Sequence, residues 1–103
     1  MIPLDKVKDI LDKHAKLEVD LSSADIDKKK FAEMSKEYSD LSSIIDEAKF
    51  YNSFQDEKNE LEKIINDSSS DDDMKELAKS ELSTLISKSV EVEKKLKLFL
   101  LPK

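Results

Sequence analysis

The chain has 103 residues and a formal net charge of −6, with two prolines, one histidine and no glycine, cysteine or arginine. A chain of this length is at most one domain with a small core, and lack of glycine argues against a sheet of short strands joined by tight positive-φ turns. Without cysteine there is no disulfide, thiol nucleophile or thiolate ligand, and a single histidine cannot build a His-rich metal site.

The charged fraction is 41% and the hydrophobic fraction 38%, and the apolar residues recur with helical spacing, so the class is all-α rather than disordered. The first element opens at Pro3, suited to a first helical turn because its missing N–H has no partner there. Leu4, Val7, Leu11, His14, Leu17 and Leu21 then follow at steps of three and four, predicting a helix of about five turns. Ser22, Ser23 and Asp25 end it with capping chemistry.

A second element starts near Asp27. Its stripe is Phe31, Met34, Tyr38, Leu41, Ile45, Ala48, Tyr51, Phe54, Leu61 and Ile65, with no Gly or Pro inside it. This predicts one rod of about 60 Å at 1.5 Å per residue. Two consecutive steps of three, Ala48 to Tyr51 to Phe54, interrupt the heptad and predict local overwinding or a bend there.

The segment from Asn66 to Asp73 is Ser- and Asp-rich and reads as a turn followed by an N-cap. Its carboxylates at alternate positions suggest Ca²⁺, but the Gly for the sharp bend and the closing Glu of such a loop are missing. Acidic residues at a helix start are favoured by the macrodipole in any case. The last element carries Met74, Ala78, Leu82, Leu85, Ser89, Val92, Leu96 and Phe99 in the same rhythm. Two long helices with a short connection run antiparallel and bury their stripes together. The expected fold is a three-helix antiparallel coiled-coil-like domain, with the shorter N-terminal helix packed on a long two-helix hairpin.

Candidate chemistry is sparse. Asp46-Glu47 and Asp56-Glu57 are sequence neighbours that do not face each other on a helix, and a narrow bundle offers no deep cleft to separate their pKa values. His14 lies on the apolar stripe and reads as a packing histidine. Lys28-Lys29-Lys30 point in different directions around a helix and read as a solvated face, while Lys94, Lys95 and Lys97 suit the C-terminal end of a helix dipole. No enzyme activity, cofactor or metal is expected. Residues 1–24 sum to −1, residues 25–85 to −8 and residues 86–103 to +3, so the long acidic middle is expected to touch protein rather than phosphate. No apolar run approaches the roughly 20 residues of a membrane span, and no basic-then-apolar start marks a secretory signal; the expected compartment is the cytoplasm.

The string MKELAKSEL from Met74 to Leu82, the ending Leu100-Leu101-Pro102-Lys103, and the pattern F-x-x-M-S-K-E-Y-x-x-L from Phe31 to Leu41 together resemble the N-terminal domain of bacterial class-one peptide chain release factors, of the release factor 1 type. Order and spacing agree from Leu4 to Lys103. The resemblance implies a helical domain over residues 1–97 and, at 98–103, the start of a connection to a central domain. It implies a translation termination factor directing peptide release at UAA and UAG. This domain would dock near the stalk base of the large ribosomal subunit, where the termination GTPase also acts. The Gly-Gly-Gln tripeptide of hydrolysis and the codon-reading tripeptide are both absent here. The positions carried by the motifs, Phe31, Tyr38, Leu41, Leu77 and Leu82, are expected in the core.

Two further classes remain open in the residues. A generic coiled-coil adaptor for a helical partner predicts strong self-association, and a synthetase- or chaperone-type arm predicts more basic charge than this chain carries. The apolar run Leu98–Leu101 is expected to need cover from a following domain. Any homodimer it produced would then arise from truncation.

Overall fold

The computed structural model describes residues 2–23 and 25–102 and is all-helical among them. The elements are α1 (Leu4–Leu21), α2 (Lys28–Ser42), α3 (Ile45–Asn66) and α4 (Asp72–Leu100). Pro3 stands immediately before α1 with φ −59° and ψ 132°, and its carbonyl accepts from Lys6 and Val7 N–H. The Ile2 N–H donates to the Tyr51 hydroxyl at 3.1 Å, tying the start of α1 to α3.

The all-α class holds, but four helices replace the three expected. The second predicted rod is divided at Ser43–Ile44. There Ile44 takes φ −121° and ψ 0°, its N–H reaches the Leu41 carbonyl at 3.0 Å, and the Ser43 hydroxyl donates to the Asp40 carbonyl at 2.6 Å. A bond to the residue three back tightens the last turn of α2, and serine hydroxyls compete for backbone carbonyls in this way. The extra residue at the joint buries Ile44 alongside Leu41 and Ala48, whereas the regular stripe would have used Ile45, which is only half-buried. Core packing thus overrides an unbroken helical sequence. The stretch expected to bend, Ala48 to Phe54, lies within α3, whose helix runs unbroken through it.

Two antiparallel hairpins result. His14 meets Ser42, and Glu18 meets Tyr38; these pairings count in opposite directions, so α2 runs back along α1. Likewise Glu47 meets Lys95, and Phe50 meets Lys88, so α4 runs back along α3. The molecule measures 60 × 29 × 18 Å. Since α4, the longest helix, spans only about 43 Å at 1.5 Å per residue, α2 and α3 follow one another rather than folding back.

The core sits where the hairpins overlap. Ile2, Val7, Ile10 and Leu17 join Leu41, Ile44, Ala48, Tyr51, Val92 and Leu96 in one buried cluster, with Leu11, Met34, Tyr38 and Phe99 packed against it. Beyond this zone each end is only two helices thick. In the outer part of the α3–α4 hairpin, Ala78 is buried while Leu61, Ile64, Leu82 and Leu85 are half-buried.

Candidate docking surface

The side chains that could carry chemistry are occupied structurally. His14 is half-buried between α1 and α2; its ring stacks on Tyr38 at 4.5 Å and 20°, and Nε2 lies 3.0 Å from Ser42 Oγ. The Tyr38 hydroxyl donates to Glu18 Oε1 at 3.4 Å. This clasp joins the two helices of the first hairpin, and an aromatic pair of this kind contributes about 0.5–1.5 kcal/mol beyond its buried area.

The acidic turn at 67–73 also works on the backbone. Asp71 accepts from the Met74 N–H at 2.7 Å and caps α4, and Asp72 and Asp73 fill its first turn. Asp67 accepts from the Ser69 N–H at 2.9 Å and the Ser69 hydroxyl at 2.7 Å. Those two hydrogen bonds, the backbone one first, hold the Asp67 carboxyl below its ordinary value of 3.8. Among the described residues, no three His, Asp or Glu side chains converge as a metal site requires.

The basic clusters sit on the surface. Lys28, Lys29 and Lys30 are exposed, with Asp27 accepting from the Lys29 N–H at the start of α2. Lys94, Lys95 and Lys97 pair with Glu91, Glu47 and Glu93 at 3.7, 3.6 and 3.4 Å. Exposed pairs of this kind contribute less than about 1 kcal/mol each.

The five motif positions divide. Leu41 is buried; Tyr38 and Leu82 are half-buried. Phe31 is 49% exposed and Leu77 is 62% exposed, so neither belongs to the core. Phe31 lies in the first turn of α2, past the zone of overlap. Leu77 is one residue before the inward-facing Ala78, about 100° round the helix from it. The sequence signal was present for Leu77, which falls off the Met74–Ala78–Leu82 steps.

α4 continues to Leu100, so the boundary drawn after Lys97 falls inside a helix. Phe99 packs against the core while Leu98, Leu100 and Leu101 are exposed. Lys103, the last residue of the quoted ending, lies outside the described residues. No helix among those described is long and apolar enough to cross a membrane.

The outer half of the α3–α4 hairpin is acidic. Residues 52–85 hold ten carboxylates against four lysines, a net charge of −6. Along one side, Leu4 of α1 meets Tyr51, Phe54 and Gln55 of α3 and Ser89 and Glu93 of α4 around a cleft of about 310 Å³. On the opposite side Phe50, Glu57, Ser80, Glu81, Thr84, Leu85 and Lys88 form a shallower depression, which the Lys88 ammonium partly closes, 4.6 Å from the Phe50 ring centre.

The PCRF domain profile matches residues 10–103. Among curated proteins, the chain is 55% identical to a peptide chain release factor 1 of Pelagibacter ubique over 103 residues, all of this chain and 29% of that protein. It is 41% identical to one from Wolbachia pipientis over 101 residues, 94% of this chain and 27% of the relative. A third, from Lachnoclostridium phytofermentans, is 35% identical over 103 residues, 96% of this chain and 28% of that protein. The chain therefore spans less than a third of the length of these relatives. No solved structure gives a significant match.

Proposed function

The chain belongs to the peptide chain release factor family, whose members act in translation termination, and from that premise we propose that it is the N-terminal helical domain of a release factor 1-type protein. It binds the ribosome and serves termination at UAA and UAG, docking near the stalk base of the large subunit, in reach of the termination GTPase. It neither reads the codon nor cleaves peptidyl-tRNA: the chain contains no glycine, hence no Gly-Gly-Gln. Its setting is the cytoplasm, with the ribosomes.

The observation that carries this reading is the continuous match over residues 10–103, which covers α2 through α4 entirely. The acidic outer hairpin adds to it, because a surface of net charge −6 over residues 52–85 suits protein contact better than direct contact with rRNA phosphates. In this reading the exposed Leu98, Leu100 and Leu101 form the side of the domain that a following domain covers. The adaptor reading has no comparable support.

The test is co-sedimentation of the chain with purified bacterial ribosomes. Saturable pelleting is expected, together with no release of peptide from stop-codon-programmed complexes. Absence of pelleting at ribosome concentrations that retain a full-length release factor would remove the reading.

A further inference from the structure

The outer hairpin carries its charge unevenly, and one side of it sets carboxylates beside uncovered apolar surface. The depression on that side is lined by Phe50 and Glu57 of α3 and by Glu81, Thr84 and Lys88 of α4. Its register follows from antiparallel packing. The Lys88 ammonium lies 4.6 Å from the Phe50 ring centre, and about two turns further out along each helix stand Glu57 and Glu81. Lys88 thus serves the inner end, while the outer end holds two carboxylates. Among the described residues, the lysine ion pairs engage Glu47, Glu62, Glu76, Glu91 and Glu93. Glu57 instead accepts from the Ser53 hydroxyl on its own helix. Lys58, Lys63, Lys75 and Lys79, the lysines of the outer half, each sit about 100° or more round their helix from Glu57 or Glu81. Apolar surface continues the same face. Leu77, four residues before Glu81, is 62% exposed, and Met74, three residues before Leu77, is 51% exposed, so the three share one side of α4. Exposed apolar residues grouped in this way, rather than scattered, mark a contact site.

We propose that this face receives a protein segment that sets a Lys or Arg side chain between Glu57 and Glu81 and apolar side chains against Leu77 and Met74. The inference rests on the ribosome-binding reading above and names the contact face and the chemistry of the partner there. Charge decides the occupant. The two carboxylates line the face itself, they repel each other until a cation lies between them, and the chain's outer lysines point elsewhere. Nucleic acid phosphates are repelled from such a face, and acidic protein surfaces are selected against. An arginine fork, which bonds carboxylates in pairs, suits the position especially well.

The test compares ribosome binding of the chain with that of Glu57→Lys/Glu81→Lys and of Asp56→Lys/Glu76→Lys. Both doubles make the same change of charge at exposed positions of α3 and α4, so circular dichroism should show the parent's helicity in each. The first is expected to weaken binding by about tenfold or more, the second by less than about twofold. Leu77→Ala, which removes apolar surface and no charge, should weaken it by about threefold or more. Equal losses in the two doubles would trace the effect to net charge and refute the face. Unchanged binding in Glu57→Lys/Glu81→Lys would also refute it, and tighter binding would mean that the face meets phosphate instead. Unchanged binding in Leu77→Ala would remove the apolar part of the contact. Sedimentation of the chain alone should show no dimer that Glu57→Lys/Glu81→Lys abolishes; such a dimer would give the face to a second copy and overturn the proposal. A parent that does not bind ribosomes overturns the functional reading itself, and the inference with it.

Discussion

Replacing Leu96 by Ala should cost nearly all of the domain's stability. Leu96 is fully buried where the hairpins overlap, in the cluster shared by α1, α3 and α4. Leu→Ala changes at such sites remove about 3–5 kcal/mol, the loss of transfer energy plus the cavity left behind. A single small core supplies only about 3–5 kcal/mol in total, so a wild-type value near 4 and a loss near 3 would leave about 15% of molecules unfolded without denaturant. Leu77→Ala is the matched control: the same atoms are removed from a side chain 62% exposed, and the change should stay within about 0.5 kcal/mol. Urea unfolding followed by far-UV circular dichroism measures both. Equal losses in the two variants, or a loss under about 1 kcal/mol in Leu96→Ala, would refute the placement of the core at the hairpin overlap.

Three other outcomes are expected. Ile44→Ala should destabilise by about 2–4 kcal/mol and Ile45→Ala by clearly less, because the joint buries Ile44 and leaves Ile45 half-exposed; the reverse order in urea unfolding would restore a continuous rod. Asp71→Ala should cost about 1 kcal/mol through loss of the cap on α4, and equal stability would mean that the Met74 N–H finds another acceptor. Asp67 has a folded-state pKa below its ordinary 3.8, so the stabilisation from its Ser69 bonds is present above that value and lost as pH falls through the folded pKa. Ser69→Ala should therefore raise the Asp67 carboxyl pKa in an NMR titration, and an unchanged value would show that the hydroxyl bond is not formed.

Much of this was legible in the residues because the signals were local. Pro3 marks the start of α1, Asp71 caps α4, and the three-four spacing of Ala78, Leu82 and Leu85 places the outer hairpin's seam. The break at Ser43–Ile44 was not legible. Leu41, Ile45 and Ala48 keep perfect helical rhythm, and only the neighbouring α1 makes burial of Ile44 worth two distorted residues. Phe31 shows a second limit of periodicity: a stripe identifies which face is apolar but not where its partner helix ends.

The most direct test of the functional account is competition on the ribosome. The isolated chain, titrated into stop-codon-programmed ribosomes carrying peptidyl-tRNA, should slow release by a full-length release factor 1 in proportion to its occupancy, while releasing no peptide alone. Undiminished release at chain concentrations far above those of the full-length factor would contradict the account.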